Sequence, residues 1–195
     1  MKTIQRSIVG LFAASLATIF VSTSAAAPYQ KGEVKLQSIG PLATGPDGVL
    51  FVSDPKAACI IAIKTAAKPT GNPSGNFKVE GLNAKVAAVL GASVDQVRII
   101  DLAVDTSSQT AYLSVIRGQG ANANAAVVSV RPSGKIHVLS LKNVQHAVAK
   151  LSNAPADQET GTGRRRRNQR MESITDIAFV KGKVIVAGLS NEEFS

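Results

Sequence analysis

The chain has no tryptophan, one cysteine and two histidines among its 195 residues, and only 4% of it is aromatic. A single cysteine excludes an intrachain disulfide in any redox compartment. Cys59 lies inside the apolar run Ala57-Ala-Cys-Ile-Ile-Ala-Ile63 and reads as a small buried hydrophobe. The two histidines, His137 and His146, have no Cys or HxxxH pattern near them, so a zinc site lacks the usual three or four N or S ligands. With so few aromatic rings, the stacking surface that a sugar- or quinone-dependent dehydrogenase uses is also missing. No Gly-x-Ser-x-Gly turn offers an esterase nucleophile. Gly118-Gln-Gly-Ala-Asn-Ala-Asn124 has no Lys-Ser/Thr ending and no helix after it, so it reads as the hairpin loop between two strands and not as a phosphate cradle; its small polar residues leave it a candidate edge of a ligand site.

What is present begins with a short basic start, Met1 to Arg6, then an apolar run from Ser7 to Val21 and small residues through Ala27. That layout predicts a secretory signal peptide over 1–26 and export to the periplasm or the cell exterior. No later segment reaches the ~18 apolar residues of a membrane helix, so no transmembrane segment is expected after cleavage. Cleavage removes Lys2 and Arg6, so the 22 basic residues fall to 20 against 13 acidic ones, a net charge of +7. Five of these charges sit together at Arg164, Arg165, Arg166, Arg167 and Arg170, within a polar loop over 153–170. Like-charge blocks of this kind are usually flexible loops. The cluster is also a candidate contact for an anionic polymer, and a candidate processing site. No aromatic residue interleaves with it for base stacking, so sequence-specific nucleic-acid binding is not expected.

The mature chain, 27–195, suffices for one domain. Its core must come from Val, Ile, Leu and Ala, which favours packed sheets. One phrase recurs, at Ile39 to Asp54, at Ile99 to Ser114 and at Ile174 to Gly188: an apolar strand, a turn and a second strand. The turns carry Gly45-Pro-Asp-Gly48, Asp105 to Gln109 and Lys181-Gly182. Units are expected at about 39–80, 97–141 and 174–195. In the first, Phe77 to Glu80 is taken as the fourth strand; in the second, Arg131-Pro-Ser-Gly134 closes a last hairpin. Apolar spacing predicts helices over 82–90 and 143–151, the second with Asn143 as its cap and His146 on it. The fold class is therefore mainly β: about two and a half four-stranded antiparallel units with two short helical insertions. Four antiparallel strands per unit is the pattern of a β-propeller blade. Since about four blades are the least that close a ring, the expectation is a fragment of a longer protein, or blades supplied by a second copy.

Gly45-Pro-Asp-Gly-Val-Leu-Phe-Val-Ser-Asp54 followed by Cys59-Ile-Ile-Ala-Ile63 resembles the blade signature of the NHL and SMP-30/strictosidine synthase-like β-propellers. The likeness covers about half of the mature chain, is best in the first unit, and departs from the compact repeat in its helical insertions. It implies a partial propeller whose first strand in each blade lines a central channel. Such propellers host several chemistries and many plain binding platforms.

Asp101 and Asp176 hold the same position in the second and third units, and on a channel wall they are candidate ligands for a hard cation such as Ca²⁺. The first unit has Pro41 there. Backbone hydrogen bonding is the alternative role for these carboxylates. Asp54 closes the second strand of the first unit, and Asn191, Glu192 and Glu193 follow the corresponding strand of the third; these read as solvated loop residues. The expected function is a non-enzymatic binding or interaction module of unknown protein or small-molecule ligand, with no cofactor. The alternative is a Ca²⁺-type metal-dependent hydrolase of the SMP-30-like kind.

Overall fold

The computed structural model describes residues 28–69 and 78–190. The signal peptide predicted over 1–26 lies outside the described residues, as do Phe77 and Asn191 to Glu193. The described chain is mainly β, with antiparallel sheets and one α-helix. Among the described residues no helix is long and apolar enough to cross a membrane.

The first sheet grows from the Gly45 to Gly48 turn. Asp47 and Gly48 both take left-handed backbone angles, φ 56° and 70°, and the Gly45 N–H donates to the Val49 carbonyl at 2.8 Å. Glycine meets that geometry without strain, and Asp tolerates it. The turn joins β2 (Leu42–Thr44) to β3 (Val49–Asp54), and β3 pairs in turn with β4 (Cys59–Lys64).

The fourth strand of this sheet is not the one expected at 77–80. Residues 78–80 form no strand, and the edge of β4 is filled by β9 (Val144–Lys150), with β1 (Gln30–Gly32) outside it. The predicted helix over 143–151 is therefore a strand, and His146 lies on it, buried. Val144 and Val148 are spaced for a helix, but their period also fits a strand face with His146 between them. The buried β4 edge decides: its backbone N–H and C=O groups need partners, which a helix cannot provide. Pairing runs from Cys59 with Lys150 to Ile63 with His146. Asn143, at φ 57°, is a turn residue entering the strand and not a helix cap.

The second sheet keeps its predicted order: β5 (Val97–Asp105), β6 (Thr110–Arg117), β7 (Asn124–Val130) and β8 (Ile136–Val138). The helix expected at 82–90 forms as α1 (Leu82–Leu90). It ends at Gly91 in the left-handed region, with the Gly91 and Ala92 N–H groups closing onto carbonyls of the last turn. The third unit is the hairpin β12 (Asp176–Val180) and β13 (Lys183–Ala187), turned at Lys181 and Gly182, both with positive φ. A small hairpin, β10 (Glu159–Thr160) and β11 (Arg167–Asn168), lies within the basic segment expected as a loop without regular structure.

These elements stack in layers. Leu42, Leu50, Val52, Ile61 and Ile63 of the first sheet pack against Tyr112 and Val127 of the second. The opposite face of the second sheet, with Leu113, Val115 and Val128, is covered by Val86 and Leu90 of α1. The other face of the first sheet, through Ala43 and Ile60, meets Ile174 and Ile177 of the third unit. Phe51 and Phe179 stack across that boundary, 5.4 Å between ring centres. The first sheet is thus the middle layer, between the third unit and the second sheet.

Candidate functional site

Asp101 sits at a bulge in β5, where the pairing with β6 shifts between Ile99 and Asp101. The bulge aims its half-buried carboxylate at β2, whose Leu42 N–H donates to Asp101 Oδ2 at 2.8 Å. Two residues on, the Thr44 hydroxyl donates to the Val104 carbonyl at 3.0 Å. Both contacts advance along β2 and β5 together, so these strands lie side by side and run the same way. Asp176 is exposed at the start of β12, and its Oδ1 accepts from the N–H of the next residue, Ile177, at 2.8 Å. Among the described residues no three His, Cys, Asp or Glu side chains gather where they would hold a metal ion. Each carboxylate at present serves a backbone N–H.

Asp54 is not the solvated loop acid that its position at a strand end suggested. Its side chain is fully buried and accepts from four donors: Gln37 N–H at 2.6 Å, Ser38 N–H at 3.0 Å, Ser38 Oγ at 2.7 Å and Ala57 N–H at 3.1 Å. It is a structural clasp for the 37–38 and 55–57 turns. Asp105 does similar work in the β5–β6 turn, accepting from Ser107 N–H, Ser107 Oγ and Ser108 Oγ. Burial raises the Asp105 pKa, but the Ser108 and Ser107 hydrogen bonds outweigh it and hold the carboxyl below its ordinary range.

Cys59 is buried, as its apolar setting suggested, and its thiol is pushed up to about 11, first by burial and then by Asp54, with Lys150 opposing. A thiol so protonated is a poor nucleophile. His137 is exposed on β8. His146 contacts Gln30 Nε2 at 3.3 Å and the Val144 carbonyl at 3.2 Å.

Among the described residues two larger depressions offer room for a ligand, besides a smaller apolar one of about 170 Å³ next to α1. One, of about 480 Å³, lies between the first sheet and the third unit and is lined largely by apolar groups, including Tyr29, Phe51, Ile60, Phe179 and Val184. The other, of about 510 Å³, opens where the chain enters β5 and where the β6–β7 hairpin turns. Asp95, Gln96 and Arg98 line one side, Gly118, Gln119 and Gly120 the other, with Val97 and Ile116 as the apolar part. Gly118, at φ 86°, donates its N–H to the Gln96 carbonyl at 2.8 Å and so ties the two walls together. A β-carbon on Gly118 would press into the Asn122 carbonyl, so glycine is required twice over. The Gly118 to Asn124 loop was legible in the sequence as a possible site edge. The Asp95 to Arg98 wall was not, because its polar residues read as an ordinary connection.

No protein-family model, no curated protein and no solved structure matches the chain.

Proposed function

We propose that this chain is a non-enzymatic binding module, exported to the periplasm or cell exterior and built from propeller-type blades, which takes a small polar ligand in the groove between β5 and the β6–β7 loop. Its volume, about 510 Å³, falls within the range of small-molecule sites. The observation that carries the reading is the groove's lining. An exposed carboxylate (Asp95), a guanidinium (Arg98) and two amides (Gln96, Gln119) surround a patch with both apolar and backbone groups. This mix of donors and acceptors suits a zwitterionic or polyhydroxylated molecule, oriented by hydrogen bonds with Arg98 as the fixed cation. The propeller reading draws support from the side-by-side stacking of the sheets and from β2 and β5 running the same way.

The test is backbone amide NMR, titrating glutamate and, separately, maltose to about 10 mM, where even millimolar affinity registers. Shifts confined to Gly118, Gln119, Gly120 and the Asp95 to Arg98 backbone, and lost in Arg98→Ala, support the groove. Titration of both probes with no shift there counts against it. The metal-dependent hydrolase takes its place if Ca²⁺ raises the melting temperature and Asp101→Asn abolishes that rise.

A further inference from the structure

The basic segment is built on the same loop as the groove's hairpin. In the β6–β7 hairpin six residues, 118–123, separate the last paired residues, Arg117 and Asn124. In the β10–β11 hairpin six residues, 161–166, separate Thr160 and Arg167. Gly118 and Gly161 have φ of 86° and 87°, and Gly120 and Gly163 both have φ of 56°. Gln119 and Thr162 between them are extended, with φ/ψ of −134°/153° and −128°/150°. A 3-10 turn follows in each, and Ala123 N–H donates to Gly120 just as Arg166 N–H donates to Gly163. The tip that reads Ala121-Asn122-Ala123 in one hairpin reads Arg164-Arg165-Arg166 in the other.

The Arg tip is therefore mounted on a frame that needs no positive charge to form. The frame's requirements, two left-handed glycines around an extended residue, are met identically without arginine. Around the tip, Arg166 pairs with Glu159 and Arg167 with Glu172 at 3.8 Å, while Asp157 accepts from Asn168 Nδ2 at 2.6 Å. Arg166 and Arg167 remain well exposed despite their partners, and Arg164 is exposed outside both pairs. Arg170 is half-buried below, with its Nε enclosed. Over 157–172 five arginines face three acids, so the hairpin end is net positive by two.

We propose that this hairpin is a docking point for an anionic polysaccharide, bearing sulfate or carboxylate groups that guanidinium forks grip in pairs. No aromatic residue lies in 153–170 to stack on bases, and the tip carries no large apolar side chain to enter a membrane, so charge-to-charge contact with a soluble polyanion is what the residues supply. The proposal is independent of the groove.

The test grafts one tip onto the other frame. Arg164→Ala, Arg165→Asn and Arg166→Ala together give the basic hairpin the tip that the β6–β7 hairpin already carries, so the fold is expected to hold. Binding of heparin oligosaccharide, measured by calorimetry at low salt, should weaken on the order of tenfold or more, since at least two charge-assisted contacts go. The wild-type affinity should fall steeply with added salt, and the graft's less so. Glu159→Gln, which releases Arg166, should tighten binding. If the graft unfolds, Arg164→Ala, at an exposed residue outside both ion pairs, should by itself weaken heparin binding. Heparin binding unchanged by the graft or, where that unfolds, by Arg164→Ala overturns the proposal. So does tighter binding to single-stranded DNA or to vesicles of phosphatidylglycerol than to heparin.

Discussion

Replacing Asp54 tests whether one buried carboxylate holds together the turns on either side of β3. Asp54→Ala strips the acceptor from three backbone N–H groups and one hydroxyl at a fully buried position. A hydrogen bond to a charged group contributes about 1.5–3 kcal/mol, and a donor stranded in the interior costs about 1–3 kcal/mol. Four donors would exceed that several times over if none found water, but Gln37 and Ser38 lie on the surface side and can be rehydrated. The net expectation is a loss of about 3–5 kcal/mol, the worth of the two charge-assisted bonds, from Ser38 Oγ and the Ala57 N–H, that water does not replace. In urea, with m near 2 kcal/mol/M, the midpoint should drop by about 1.5–2.5 M. Asp54→Asn keeps one acceptor oxygen but turns an NH₂ toward the remaining donors, so it should lose nearly as much. Ser38→Ala removes the hydroxyl that donates to Asp54 and accepts from the Lys56 N–H, and should cost about 1–2 kcal/mol. The Asp54/Ser38 double-mutant cycle should show coupling of about 1 kcal/mol, because the two share that bond. The assay is equilibrium unfolding followed by far-UV circular dichroism. A loss under about 1 kcal/mol for Asp54→Ala would refute the clasp.

Two other expectations concern pH and backbone approach. Folding raises the Cys59 pKa to about 11 from an unfolded value of about 8.5, so its stabilising effect is complete below pH ~8.5 and fades as the pH rises toward 11; Cys59→Ala should flatten that alkaline decline in a urea-midpoint against pH series, and a decline of equal slope in the variant would remove Cys59 as its cause. A β-carbon on Gly188 would collide with the Ser173 carbonyl, the backbone neighbour across which Leu189 N–H reaches Glu172 and Thr175 N–H reaches Ala187, so Gly188→Ala should cost several kcal/mol and lower the melting temperature by about 5–15 °C; a calorimetric scan showing no drop would mean that the third hairpin moves aside freely.

The hairpins were readable because their instructions are local. Gly45 to Gly48, Asp105 to Gln109 and Lys181-Gly182 each place turn-forming residues between apolar strands, and all three turns form where those residues fall. The helix at 82–90 likewise carries its own stop signal in Gly91. What could not be read is pairing at a distance. Val144 to Lys150 satisfies both a helical and an alternating pattern, and only the unfilled edge of β4, far back in the chain, selects the strand. The burial of Asp54 is hidden for the same reason: the donors that bind it lie in turns whose approach no sequence period encodes. Of the candidate site residues, the sequence placed Asp101 and Asp176 on first strands of their hairpins but not the Leu42 N–H that occupies the former. The kinship of the two Gly-x-Gly loops was present in the letters, masked by arginines at one tip and alanines at the other.

Strand β9 gives the molecule a history as well as a shape. The middle layer waits for a segment made after the whole second sheet, so a chain emerging from its N-terminus has β4 with one open edge until residue 150 is free. Open edges of apolar strands recruit other chains, and closure over so long a loop is slow. Vectorial release should therefore pass through a vulnerable interval in which the second sheet and α1 are complete while the first sheet is not. A holding chaperone would act in that interval, and a chain halted before Val144 should aggregate faster than one halted after Lys150, which still lacks the third unit over Ala43 and Ile60.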